Sequence, residues 1–246
     1  VSLITEEAIV LARYPFKEKS AVVVFLCRGK GVIRAVARVA RGRSGGGVAL
    51  EPLARVKVTL FVSPRRELAT VNEVVLERSA LDLAARPQAW AASLVAAELA
   101  LELCPPGTSQ EAFFRLLEKT LLWLEGGADP ELAVAYVLIW SLRLAGVLPD
   151  LATCALGGEA LENGAVVFVR DVGFCCPTHS TGGVTLTANS QRFLREALKK
   201  PLDQVTAKPG PELIPTLVTL LERFLEKPVR SLSVFRQLAG PATSTC

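Results

Sequence analysis

A chain of 246 residues is long enough for two domains, and a composition of 50% hydrophobic against 21% charged residues excludes a disordered polymer. The net charge is only +4, so the molecule is no polycation, yet between positions 13 and 57 eleven basic residues stand against two acids, Glu18 and Glu51. That bias concentrates positive potential early in the chain and points to an anionic partner.

In chain order, residues 7–14 (EAIVLARY) and 20–27 (SAVVVFLC) are rich in β-branched side chains and read as strands separated by Pro15 and the charged 17–19 turn. The stretch 31–43 (GVIRAVARVARGR) alternates with a period of two. Ile33, Ala35, Ala37 and Val39 fall on a core face, and Val32, Arg34, Val36 and Arg38 on the other. It runs into Arg41, Arg43 and a Ser-Gly-Gly-Gly tip. A strand with guanidinium groups on its outer face is suited to a phosphate backbone, although a basic run is equally read as a solvated surface. Residues 54–62 place Val56, Val58, Leu60 and Val62 inward and Arg55, Lys57, Thr59 and Phe61 outward, and 68–76 gives a fifth strand. A lone aromatic such as Phe61 is expected to pack beneath a neighbouring helix rather than stack on bases. Five short strands without a crossover helix predict a small antiparallel barrel of the OB type.

From position 79 the period becomes helical. Pro87 opens a helix over 88–103, and Ser109 is expected to cap a second that ends at Gly126-Gly127. Asp129-Pro130 opens a third, running through Val147. Residues 149–187 break the rhythm with Gly, Cys and short β-like pieces at 165–169 and 183–186. Helical spacing returns at 189–199 and 212–226, and 229–238 (VRSLSVFRQL) reads as a basic tail segment. The expected architecture is α+β: an OB domain over 1–79, then a helical domain over 80–246 interrupted at 150–188.

Enzymatic signatures are missing. His179 is the single histidine, and no G-x-S-x-G elbow or phosphate-binding GxxxxGK[ST] loop exists. Gly29-x-Gly31 begins a dinucleotide fingerprint but meets Arg34 in place of the third glycine. The apolar run 132–142 is too short to span a bilayer, which takes about 20 residues. Six cysteines with no even framework and an acidic VSLITEE start predict reducing cytosol.

The segment 154–179 has the outline of a zinc ribbon with one hook damaged. Structural zinc takes four ligands, usually from two short C-x-x-C or C-x-x-H hooks. Cys176-x-x-His179 is intact, but Gly157 stands where the hook begun by Cys154 should close, leaving Cys175 to fill the gap. One structural zinc on Cys154, Cys175, Cys176 and His179 is a candidate; the alternative is a former metal loop that folds by packing alone.

The N-terminal run EAIVLARYPFKEKSAVVVFLCRGKGVIRAVARVARGRSG, the following ALEPLARVKVTLFV, the GFCCPTH loop and the late LERFLEKPVRSLSVFRQL together resemble the bacterial RecO family of recombination mediators. The resemblance implies an OB-fold domain, a helical domain with a zinc-like insertion and no catalytic turnover. It also implies a cytoplasmic, nucleoid-associated protein that binds single- and double-stranded DNA, anneals complementary strands, engages the acidic C-terminal tail of SSB, and works with RecR to load RecA. DNA contacts are expected on Lys17, Lys19, Arg28, Lys30, Arg34, Arg38, Arg41, Arg43, Arg55 and Lys57. The SSB tail, acidic with an apolar end, calls for an apolar groove rimmed with Lys or Arg, for which Arg115, Lys119, Arg223 and Arg236 are candidates. A protein-binding adaptor and an OB-fold RNA-binding factor are the alternative readings.

Overall fold

The computed structural model describes residues 2–38, 50–161 and 164–239. The chain divides into two compact units, Val1–Gly127 together with Val229–Cys246, and Ala128–Pro228.

The first unit opens with β1 (Ser2–Pro15), β2 (Ser20–Cys27), β3 (Gly31–Arg38), β4 (Arg55–Val62) and β5 (Ala69–Arg78). They close into a barrel in the order β1-β2-β3-β5-β4, with β4 returning to β1. Every pairing is antiparallel except β3 with β5, which run parallel over two residue pairs, Ala35 with Ala69 and Val36 with Thr70. This is the five-stranded OB arrangement. β1 pairs with two neighbours, and its register with β2 shifts between Val10 and Ala12. Such a bulge bends a strand and increases its twist; the front of β1 pairs with β4 and its back with β2. The alternation read from the sequence for 31–38 and 54–62 puts Ala35, Ala37, Val56, Val58 and Leu60 inside, where they meet Val23 and Phe25 of β2. Small residues on β3 leave room for Phe25, which is fully buried.

After a 3-10 turn over Leu81–Ala85, the helices α1 (Pro87–Leu103) and α2 (Glu111–Glu125) pack together. Pro87 occupies the first turn of α1, where its missing N–H costs nothing. Ser109 does not cap α2. Its hydroxyl instead donates to the Arg28 carbonyl at 3.2 Å, and Gln110 stands at the cap without a side-chain bond.

The unit also takes in residues from the far end of the chain, where the expected basic tail segment is a helix, Arg230–Ala239, packed on α1. Its first amides, those of Arg230 and Ser231, donate to the Glu98 carboxylate at 3.0 and 2.7 Å. An acid lent by α1 thus satisfies the free N–H groups and the positive end of the dipole.

The second unit holds α3 (Pro130–Leu144), α4 (Ala188–Ala197) and α5 (Leu213–Leu225); the C-terminal helix of the first unit is therefore α6. Asp129 caps α3 by accepting from the Glu131 amide at 2.9 Å. The helix stops at Leu144 rather than Val147, because Gly146 takes a left-handed φ of 73° and the chain turns. α3 packs against α4 and α5. Between α3 and α4 lies a small antiparallel sheet, ordered β7-β6-β8, of β6 (Val166–Val169), β7 (Gly173–Cys175) and β8 (Val184–Leu186). No helix among the described residues is long and apolar enough to cross a membrane.

Candidate nucleic-acid interface and metal cluster

The period of two aims Arg34 and Arg38 outward from β3, and both are exposed. Strand register places Ser20 beside Arg38, Val24 beside Arg34, and Tyr14, Val22 and Val36 in a row between them. Tyr14 is half exposed. The β1–β2 turn carries Lys17 with a φ of 60°, its ammonium 5.5 Å from the centre of the Phe16 ring, and the exposed Lys19. Arg65 and Arg66 in the β4–β5 loop are exposed as well. Phe61 is not covered by a helix. It stands 42% exposed on the outer face of β4, beside the exposed Leu3 of β1.

The predicted basic residues divide sharply by partner. Among the described residues no carboxylate lies within ion-pair distance of Lys17, Lys19, Lys30, Arg34, Arg38 or Lys57. Arg28 instead holds Glu7 at 2.7 Å and Glu111 at 3.3 Å, with its guanidinium 4.9 Å over the Phe114 ring. Arg55 is surrounded by Glu7 at 3.2 Å, Glu77 at 3.0 Å and Glu118. Arg41 and Arg43 lie outside the described residues. A groove of about 750 Å³ runs beside β3, with an apolar wall that includes Ile4, Val32 and Leu101 and a rim carrying Lys30, Arg34 and Arg66.

In the second unit, residues 153–160 form a tight hairpin: Thr153 bridges Ala160, and the Cys154 amide donates to the Glu159 carbonyl at 2.7 Å. The Cys154 sulfur accepts from the backbone N–H of Gly157 and of Cys176, both at 3.4 Å. These amides, that of Cys176 foremost, favour the thiolate and lower its pKa to about 6. His179 Nδ1 lies 3.1 Å from Cys176 Sγ, 3.8 Å from Cys154 Sγ and 3.2 Å from a Glu159 oxygen. The two thiols, Cys154 first, raise the pKa of the imidazole. The donor atoms of Cys154, Glu159, Cys176 and His179 all lie within 4.8 Å of one another.

Cys175 is not part of this group. It is buried on β7, where burial first and the neighbouring Cys154 second push its thiol up. The fourth side chain of the group is Glu159, which hooks of Cys and His alone do not include. A carboxylate on the same hairpin as the damaged hook was the available signal.

A second groove, of about 420 Å³, is lined by Leu148, Leu151 and Leu198 with three cations, Arg143, Arg195 and Lys199, and one acid, Asp150, beside them. Arg143 stacks over Trp140 at 5.1 Å from the ring centre. None of the four rim residues expected from the sequence lines it, and Arg223 is paired with Asp171.

Two family models match in tandem, Recombination protein O N terminal over residues 1–80 and Recombination protein O C terminal over residues 85–233. Among curated proteins, the DNA repair protein RecO of Koribacter versatilis is 33% identical over 94% of this chain and 98% of its own length. The RecO of Geobacter sulfurreducens is 34% identical over 94% and 97%, and that of Symbiobacterium thermophilum 31% over 80% and 81%. With both halves of the family architecture in order and relatives matched over nearly their full length, the chain belongs to the recombination protein O (RecO) family.

Proposed function

We propose that this protein is a DNA-repair recombination mediator whose barrel, residues 1–79, binds single- and double-stranded DNA, anneals complementary strands and, with RecR, helps load RecA on SSB-coated DNA. The family membership supports the repair role. The observation that carries the DNA reading is the division of the cations: Arg28 and Arg55 are neutralised by carboxylates, whereas Lys17, Lys19, Lys30, Arg34, Arg38 and Lys57 have no carboxylate partner among the described residues. Each phosphate these residues neutralise releases counterions, so log affinity falls with log salt at a slope of about 0.7 per contact for single strands and about 0.9 for duplex. Annealing follows when the same surface screens two strands at once. Exposed Tyr14 and Phe61 add π faces on which unpaired bases can stack.

The SSB tail, acidic with an apolar end, fits the groove where Leu148, Leu151 and Leu198 lie beside Arg143, Arg195 and Lys199. One structural zinc in the Cys/Glu/His cluster would hold the hairpin of 153–160 to the loop that carries Cys176 and His179. The protein acts in the cytoplasm, at the nucleoid.

The test is the pair Arg34→Glu and Arg38→Glu, with single-strand affinity measured at several salt concentrations. The expected result is a large loss of affinity and a salt slope shallower by about 1.4. Unchanged affinity and slope would make the protein an adaptor for acidic partners, and a strong preference for structured RNA in competition would make it an RNA-binding factor.

A further inference from the structure

We propose that Glu159 is the fourth ligand of the metal site, standing in for the hook residue absent at Gly157, so that the donor set is Cys154 Sγ, Cys176 Sγ, His179 Nδ1 and one Glu159 oxygen. The inference rests on the structural-zinc part of the reading above and is independent of its DNA part.

A Cβ added at Gly157 would land on the Glu159 carboxylate and on the His179 ring. The volume that a hook-closing side chain would enter is thus already filled by the two groups proposed as ligands. Loss of a side chain at 157 and entry of a carboxylate from two residues onward are one rearrangement.

His179 Nδ1 has three heteroatoms around it, Cys176 Sγ at 3.1 Å, Glu159 Oε2 at 3.2 Å and Cys154 Sγ at 3.8 Å. A ring nitrogen carries at most one hydrogen and makes one hydrogen bond. A single hydrogen bond at that nitrogen, whether the ring or a thiol supplies the hydrogen, therefore accounts for only one of the three close contacts. A cation among the four satisfies all of them.

The spacing agrees with one particular kind of cation. Bonds of about 2.0 Å to nitrogen or oxygen and about 2.3 Å to sulfur, set tetrahedrally, separate neighbouring donors by roughly 3.3 to 3.8 Å. The distances from His179 Nδ1 fall at or close to that range. Two sulfurs select zinc over magnesium or calcium, which take oxygen. Cys154 is already held for the role by the amides of Gly157 and Cys176, which complement a thiolate.

The experiment uses the full chain purified without chelator. Zinc per chain is measured by elemental analysis, zinc affinity by competition with a chromophoric chelator, and the donor set by the visible spectrum of the cobalt-substituted protein. The wild type is expected to hold one zinc per chain and to give the intense d–d bands of a tetrahedral two-thiolate cobalt site. Glu159→Gln is expected to weaken zinc by tenfold or more and to shift the cobalt bands, while far-UV circular dichroism stays unchanged because Glu159 is a half-exposed hairpin residue. Zinc affinity and cobalt spectrum identical in wild type and Glu159→Gln would overturn the assignment of Glu159 and leave the metal site standing. A wild type that takes up no zinc would overturn the site altogether, with the DNA reading untouched.

Discussion

Arg55 of β4 reaches Glu118 of α2, so one guanidinium that the sequence marks for DNA instead fastens the barrel to its helices. Glu7 and Glu77 share the same group. Replacing Arg55 by Ala leaves three carboxylates facing each other. The expected cost is about 2 kcal/mol of stability, the range of charge-assisted hydrogen bonds in partly buried positions. Urea unfolding measures it; the DNA salt slope of the folded variant should match the wild type.

Gly31 begins β3 with a φ of 65°, and a Cβ there would run into the Thr108 carbonyl and come within 2.7 Å of the Pro105 carbonyl. Backbone cannot yield as a side chain does. Gly31→Ala therefore combines left-handed strain of about 1–3 kcal/mol with displacement of the segment after α1. A drop in melting temperature larger than that of Gly107→Ala, whose Cβ meets nothing within 4 Å, is the expected outcome.

Phe61→Ala and Tyr14→Ala should weaken single-strand binding by about 1–3 kcal/mol each and duplex binding much less, since only unpaired bases offer a free face for stacking. Fluorescence anisotropy on the two DNA forms reads the ratio. Equal losses on both would make these side chains part of the packing surface alone.

The thiols should separate by reactivity. Burial pushes Cys27 and Cys104 up to about 12, whereas backbone amides bring Cys154 down to about 6. Brief alkylation of the native, metal-free protein at neutral pH is expected to label the partly exposed Cys176 first, to reach Cys154, a stabilised thiolate that is itself buried, more slowly, and to spare Cys27 and Cys104 until the chain unfolds. Peptide mapping by mass spectrometry resolves each site.

Glu196 gives a pH-dependent term. Its carboxylate accepts from the Thr206 amide at 2.8 Å, which lowers its pKa below the ordinary 4.5. A folded-state pKa below the unfolded one means the stabilisation is complete above about 4.5 and is lost as pH falls through the lowered value. Glu196→Gln should therefore be less stable than wild type at neutral pH, with the gap closing on acidification.

What was legible in the sequence follows from how far apart the decisive atoms lie along the chain. The strand faces of 31–38 and 54–62 could be read because alternation is local, and Asp129 because a cap acts within a turn. The parallel pairing of Ala35 with Ala69 that closes the barrel leaves no local mark. α6 looked like a tail because its capping acid, Glu98, lies 132 positions upstream of Arg230. Ser109 satisfies the rule for a cap, yet the Arg28 carbonyl, 81 positions away, claims its hydroxyl. Arg28 and Arg55 looked free for the same reason, since their carboxylates come from other strands and from α2. Glu159 was near in sequence and was missed for a chemical reason, because zinc hooks are sought among sulfur and imidazole.

The return of α6 to α1 has a consequence for how this protein is made. A ribosome releases α1 long before it releases Leu232 and Phe235, the buried residues of α6, and all of Ala128–Pro228 is synthesised in between. Throughout that interval the side of α1 that α6 will cover stays open to solvent, and a chain cut before Val229 is expected to leave it so.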